Sequence, residues 1–259
     1  MPTRHPGRVA PTALAGAGPD GGMYMDESRW ERYGAASGVV FVALLVVATF
    51  VVPAPPHIDA ATSKIMRYVT SHRRAILTSQ MLAMLAIVTF IWFLGHLRHV
   101  LHRAEGGAEA LSPIVFASGL ALAGAAVVSV LPMTVLVLMR DSPDGLTNSA
   151  VVRALWDTGQ ALGPVLAILA GLFVATAALA MVRRELLAPA LGWVGLAVAA
   201  GNVTTGIAGF YVTSYVRAWA IVGIVAFLAF AAWILVSSAV MIRQPEVERA
   251  TTREPVFVT

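Results

Sequence analysis

The chain contains no cysteine, only one lysine (Lys64) and few charged residues of any kind. The absence of thiols excludes a disulfide framework, a thiol nucleophile, an iron–sulfur cluster and a thiolate zinc site. Charged residues make up 12% of the chain, against about 25% in an average soluble domain, whereas hydrophobic residues make up 58%. This composition is typical of an integral membrane protein. Its arginines are dispersed rather than clustered on one face, so we expect membrane lipids as partners and no nucleic acid.

Catalytic motifs are absent as well. The sequence has no G-x-S-x-G, no H-E-x-x-H and no Walker-type loop. No histidine lies deep within an apolar stretch, which argues against haem ligation inside the membrane. His96, His99 and His102 could share one helix face, but no carboxylate accompanies them and Arg98 and Arg103 interrupt the face. We therefore expect no cofactor and no metal site.

Six long apolar stretches fill most of the chain. Each is near or above the roughly 20 residues that a helix needs to cross a hydrocarbon layer of about 30 Å. The predicted spans are residues 33–52, 75–97, 113–139, 155–181, 189–211 and 218–241. The sequence thus predicts an all-α fold, a polytopic transmembrane helix bundle with six spans.

The positive residues predict the orientation of the spans. If the N-terminus is inside, eleven positive residues lie on the cytoplasmic side: Arg4, Arg8, Arg29, Arg32, Arg98, Arg103, Arg183, Arg184, Arg243, Arg249 and Arg253. Seven lie on the other side: Lys64, Arg67, Arg73, Arg74, Arg140, Arg153 and Arg217. The positive-inside rule then places both termini in the cytoplasm, although four of the seven fall in the first external loop.

The two ends of the chain have no apolar period. Residues 1–22 are rich in glycine, proline and alanine, so we expect a disordered N-terminal segment over residues 1–29 and a disordered tail over 243–259. The transmembrane domain is predicted over residues 30–242. Met23 and Met25 stand just before this domain, which leaves the native start open among Met1, Met23 and Met25.

The longest connection between spans, roughly residues 57–74, places Ile58, Ile65, Met66 and Val69 among polar residues. This pattern predicts a helix that lies on the outer surface and caps the bundle.

Small residues recur where helices should meet, because lipid provides no hydrophobic drive for helices to associate. They are Gly34, Gly38, Gly163, Gly171, Gly192, Gly195, Gly206 and Gly209.

Uncharged polar residues within the spans are the main candidates for function. At a rise of 1.5 Å per residue, five of them from four spans reach a similar depth, very roughly 8 Å inside the outer boundary or slightly deeper. They are Gln80, Thr134, Gln160, Asn202 and Thr205. One interpretation is an outward-facing polar pocket that binds a small neutral or lipidic ligand. The other is hydrogen bonding between helices, worth about 0.6 kcal/mol per contact.

Asp157 is the sole acidic residue within a predicted span, and it completes the predicted ligand-binding set. A carboxylate at the bilayer centre costs about 2.5 to 3.5 kcal/mol, which makes a central acid a candidate for proton or cation coupling. Asp157 lies near the outer end of its span instead. Arg153, four positions earlier, predicts an interfacial ion pair as the alternative.

Several segments resemble a group of small bacterial membrane proteins. They are YVTSHR at 68–73, FIWFLGHLRHVLHRAEGG at 90–107, LWDTGQALGPVLAILAGLFVA at 155–175 and LLAPALGWVGL at 186–196. The group is a six-helix family described as a domain of unknown function, and the likeness covers most of residues 30–241. Members commonly have arginine or tryptophan before the Leu-Gly-Trp, where this chain has Ala190. The resemblance implies a multi-pass protein of the bacterial cytoplasmic membrane and names no catalytic residue.

Three function classes follow from these observations. The first is a non-catalytic membrane protein that binds a ligand in the polar pocket. The second is a secondary transporter or its accessory subunit, for which Pro132 within the third span is the nearest sign. The third is a membrane-embedded enzyme, which would need a buried catalytic pair that the sequence does not offer. A protein partner or a homo-oligomer is left open.

Overall fold

The computed structural model describes residues 20–105, 111–141, 147–183, 189–212, 214 and 216–243, apart from the side chains of residues 20–32, 104 and 105. These residues form seven helices, and six of them are long and apolar enough to cross a membrane. The all-helical architecture and the six apolar helices agree with the prediction. The helices are α1 (Asp20–Val51), α2 (Thr62–Ser71), α3 (Arg73–Glu105), α4 (Ser112–Met139), α5 (Ser149–Arg183), α6 (Pro189–Gly209) and α7 (Arg217–Arg243).

Local chemistry explains where several helices begin. Pro113 stands in the first turn of α4, where its missing N–H is not needed. The side chain of Asn148 caps α5, because its Oδ1 accepts hydrogen bonds from the backbone N–H groups of Ala150 and Val151 at 3.1 and 3.2 Å.

Helix α1 begins at Asp20, ahead of the predicted domain start at residue 30. Hydrophobicity marks only the part of a helix that lipid would surround, so it does not reveal such an extension. Residues 1–19 and 244–259, which hold most of the two segments predicted to be disordered, lie outside the described residues.

The six long helices pack as a ring. In chain order each packs on the next, and α7 returns to pack on α1, whereas contact across the ring between α5 and α7 is slight. Neighbouring helices run antiparallel. Ser79 near the start of α3 donates a hydrogen bond to the backbone carbonyl of Ala48 near the end of α1 at 2.8 Å, and His96 near the end of α3 packs on Gly34 of α1.

Helix α2 lies at one end of this ring, which we call the α2 end. It packs on α3, α4 and α5. Its buried residues Ile65, Tyr68 and Val69 join a small apolar cluster. The other buried members of that cluster are Ile76, Leu136, Val137, Val152 and Trp156. The predicted helix between the first two spans is therefore present, with its apolar face against the ring.

Glycines bring α5 and α6 close together. A Cβ atom on Gly206 would lie 2.7 Å from the backbone oxygen of Pro164, and one on Gly171 would lie 2.9 Å from that of Ala199. Both glycines therefore sit at helix contacts, as predicted for them. Gly163 differs, because no described atom beyond its own stretch of helix lies within 4 Å of the position its Cβ would take, so the expectation of a close helix contact there is wrong.

Candidate functional site

A cavity of about 480 Å³ lies inside the ring, and every one of the six long helices contributes to its lining. Its volume falls within the range of about 300 to 1,000 Å³ that is usual for ligand pockets. If each non-hydrogen atom takes about 30 Å³, as a water molecule does in the liquid, the cavity has room for about 16 of them. It is lined by residues 83–90 of α3 and by residues 219–230 of α7, among others. At a rise of 1.5 Å per residue, it therefore extends for about 10 to 17 Å along the helix axes.

The walls of the cavity are apolar. Among the described residues that line it none is charged, and their side-chain hydroxyl and amide groups come from Ser129, Asn202 and Thr205. At the α2 end the lining reaches the junction of α6 and α7, where Gly209 and Trp219 lie. The cavity is thus an apolar chamber with a few polar groups, whereas one of the two interpretations of the sequence is a polar pocket.

Aromatic rings line the cavity at the end away from α2. The ring of Phe41 lies 4.9 Å from that of Phe90 and 6.4 Å from that of Phe230, centroid to centroid. Phe90 in turn meets Phe173 edge-on at 5.4 Å. Such packing is dense and adds to the burial energy of the rings themselves. It forms a floor beneath the chamber.

Asn202 is the most deeply buried polar residue of the lining, with 3% of its surface exposed. Its Nδ2 donates hydrogen bonds to the backbone oxygen of Val198 on its own helix at 3.0 Å and to that of Ala226 on α7 at 3.3 Å. Both partners can only accept, so the orientation of the amide group is determined. Its Oδ1 has no hydrogen-bond partner among the described residues.

The other two polar residues of the lining differ in what their hydroxyl groups do. The Ser129 hydroxyl donates to the backbone oxygen of Ala126 at 2.7 Å, which uses its proton within its own helix. Thr205 follows Asn202 by three positions, so the two side chains are neighbours on one helix face. No hydrogen bond joins the Thr205 hydroxyl to another described residue.

No family model matches this chain, and no curated protein or solved structure matches it either.

The structure brings two of the six predicted ligand-binding residues into the lining, Asn202 and Thr205. Gln80, Thr134 and Gln160 are half-buried and stand outside it. Each lies three or four positions from a lining residue of its own helix and therefore on the same helix face. Each is displaced from the cavity by about one turn, towards the α2 end. The pairs are Gln80 with Ala83, Thr134 with Val130 and Gln160 with Pro164.

Hydrogen bonding at these positions differs from one residue to the next. The bond from Asn202 to the backbone of Ala226 joins two helices. The Thr134 hydroxyl, by contrast, bonds to the Val130 carbonyl of its own helix at 2.8 Å. The amides of Gln80 and Gln160 form no hydrogen bond with another described residue. Helix-to-helix bonding thus accounts for Asn202 and leaves the two glutamines unexplained.

Asp157 lies outside the cavity lining, with 47% of its side chain exposed. Its Oδ2 accepts a hydrogen bond from Nε of Arg153 at 2.8 Å, which is the ion pair that the spacing of four residues predicts. A carboxylate that faced the uncharged cavity wall would lose its hydration without gaining a counter-charge. The exposed position of Asp157 is therefore lower in free energy.

Arg153 also joins α5 to the segment that leads into α2. Its Nη1 donates to the backbone oxygen of Ala60 at 3.0 Å and its Nη2 to that of Ile58 at 2.8 Å. Nearby, Tyr68 donates its hydroxyl proton to the Pro53 carbonyl at 3.0 Å, and burial raises the pKa of this phenol above 10.0. These hydrogen bonds hold α2, and the segment that leads into it, against the ring of helices.

Two glycines of the lining could not be recognised from the sequence. Gly163 and Gly223 both line the cavity, and no atom lies within 4 Å of either Cβ position. In sequence they are indistinguishable from Gly206, which sits at a helix contact. Only the arrangement of all six helices decides which glycine meets a neighbour and which meets empty space.

Proposed function

We propose that this protein is a non-catalytic, multi-pass membrane protein that binds a small uncharged molecule, apolar or lipidic, in its central cavity. The observation that carries the proposal is a chamber formed by all six long helices, in which no lining residue that the structure describes is charged. A charged ligand would lose its hydration there without meeting a counter-ion, at a cost of many kcal/mol, whereas an apolar ligand gains from the contact.

Cavity-filling variants provide the test. Leucine at Gly223 would occupy the cavity, whereas leucine at Gly124 provides a matched control, because Gly124 faces equally open space but does not line the cavity. Native mass spectrometry of the detergent-purified protein is expected to show a bound apolar molecule in the wild type and in Gly124→Leu, and none in Gly223→Leu. Equal retention by all three proteins, or no adduct on the wild type, would contradict the proposal.

The proposal places the α2 end outside a bacterial cell and both termini in the cytoplasm. Of the positive residues, eleven then lie inside and seven outside, which agrees with the positive-inside rule. Because the chain has no cysteine, single cysteines report their side without interference. A membrane-impermeant maleimide should label Ser63→Cys and Ser214→Cys on intact cells, and Ala190→Cys only after permeabilisation. The opposite pattern would reverse the orientation.

Secondary transport is the second candidate, favoured by two prolines inside neighbouring helices. Pro132 lies within α4 and Pro164 within α5, where Pro164 lines the cavity. A proline removes one backbone hydrogen bond and can serve as a hinge at which a helix bends. Ligand uptake into proteoliposomes would support transport, and saturable binding without uptake would support a binding protein alone.

A further inference from the structure

We propose that the cavity selects a neutral, apolar alcohol, whose hydroxyl group donates a hydrogen bond to Oδ1 of Asn202. This inference rests on the proposed function, since it names the chemical class of the ligand for the same cavity. It is carried by an acceptor at the deep end of an apolar chamber that has no hydrogen-bond partner in the described part of the chain.

The bonds of Asn202 leave only its oxygen for a ligand. Both amide protons have backbone acceptors, at Val198 and at Ala226. Turning the amide over would set its oxygen against two carbonyl oxygens, so the donor and acceptor ends cannot exchange. A ligand at Asn202 must therefore bring the donor.

The position of Asn202 places this donor deep in the chamber. Ala226, to which Asn202 bonds, lies one turn of α7 from Phe230 of the aromatic floor and about two turns from Trp219 at the α2 end. The polar end of the ligand would thus be the inner end. Its apolar part would extend past Gly223 towards Trp219.

A hydroxyl group fits this environment better than other donors. An ammonium group carries a charge that no lining residue balances within the described part of the chain. A hydroxyl is neutral, and besides donating to Asn202 it can accept a hydrogen bond from the neighbouring Thr205, whose hydroxyl has no partner among the described residues. An unpaired acceptor in an apolar cavity is unfavourable, and a ligand hydroxyl removes that penalty. A chain of about twelve carbons suits a chamber with room for about 16 non-hydrogen atoms.

The experiment uses the full-length protein in lipid nanodiscs and two probes. The first is dodecanol with bromine on its eighth carbon, and the second is the methyl ether of the same compound, which keeps the oxygen but cannot donate. With the hydroxyl at Asn202, the bromine lies near Trp219 and quenches its fluorescence. Gly223→Leu, in which the cavity is filled, measures the quenching caused by probe dissolved in lipid. Trp219→Phe identifies the signal of Trp219.

The alcohol is expected to bind the wild type about fivefold or more tightly than the ether. Asn202→Leu should abolish this preference while leaving the affinity for the ether unchanged. That unchanged affinity also shows that the variant is folded. The comparison of the two probes on the wild type needs no variant, so it decides the question even if Asn202→Leu does not fold.

Three results would overturn the inference. Equal affinity of the wild type for the two probes would remove the selectivity for a hydroxyl and leave the cavity as an apolar binding site. A preference that persists in Asn202→Leu would remove the role of Asn202. Quenching that is identical in the wild type and in Gly223→Leu for both probes would overturn the proposed function as well.

Discussion

Arg153 and Ile58 lie 95 positions apart in the chain, yet Nη2 of Arg153 donates a hydrogen bond to the backbone oxygen of Ile58 at 2.8 Å. The same guanidinium donates to Ala60 and to Asp157. One side chain of α5 thus fixes the segment that leads into α2, and three of its donors have named acceptors. The fork of the guanidinium suits this task, because it offers several donors in fixed directions.

Removing Arg153 should therefore cost more than removing its carboxylate partner. Arg153→Met loses two bonds from a charged donor to backbone carbonyls, and we expect the free energy of unfolding to fall by about 1 to 3 kcal/mol. Asp157→Asn disturbs only an exposed ion pair and should change the free energy of unfolding by less than about 1 kcal/mol. Thermal unfolding in detergent and hydrogen exchange over residues 57–71 measure both effects. Equal effects of the two substitutions would contradict the role assigned to Arg153.

The buried phenol of Tyr68 predicts a loss of stability in alkaline solution. Its pKa is raised by burial, so the folded state holds the phenolic proton at a pH where the unfolded state has begun to lose it. The contribution of the protonated phenol to the free energy of unfolding is complete below the ordinary pKa of 10.0. It is lost as the pH rises through the raised pKa that the phenol has in the folded state.

Tyr68→Phe tests this directly. The substitution removes the bond to Pro53, which should lower stability at neutral pH by about 1 kcal/mol. It should also make the melting temperature less dependent on pH above 10.0. Melting curves of both proteins between neutral and strongly alkaline pH provide the measurement. An unchanged alkaline slope in the variant would show that other groups cause it.

The contact of α6 with α5 predicts different effects for two glycines of one helix. A Cβ on Gly206 would lie 2.7 Å from the Pro164 backbone oxygen, so Gly206→Ala must push the helices apart, at a cost of about 1 to 3 kcal/mol. Gly201 on α6 has no atom within 4 Å, and Gly201→Ala should be neutral or slightly stabilising. Melting temperatures in one detergent compare the two variants. Equal tolerance of both would contradict the close packing of these helices.

Periodicity and length predict much of this fold, because a membrane imposes them. The apolar stretches indicate all six long helices, and the pattern around Ile65 and Val69 indicates α2. The start of α1 at Asp20 departs from the prediction, since that part of the helix carries no apolar pattern.

The site could be predicted only in part. Depth along a helix follows from counting residues, so the sequence places Gln80, Gln160 and Asn202 near one another in height. Which way a side chain points also depends on the rotation of its helix about the helix axis. The sequence determines this rotation only weakly, because a helix face towards lipid and a face towards the cavity are both apolar. Asn202 lines the cavity, whereas Gln80 and Gln160 stand about one turn beyond it along their helices, so a count of residues alone does not show which polar side chains reach it. The cavity itself arises where six faces fail to meet, and no single segment encodes it.

The most direct test of the account is to map where an apolar alcohol binds. A photoreactive dodecanol that carries a diazirine, cross-linked to the protein in lipid nanodiscs and located by peptide mapping, distinguishes the two sides of α7. Trp219, Gly223 and Phe227 line the cavity, whereas Ile221, Val225 and Leu228 are exposed on the surface of the helix and absent from the lining. We expect adducts on the first set, and we expect excess unlabelled dodecanol to suppress them. Adducts confined to the second set and unaffected by the competitor would contradict it.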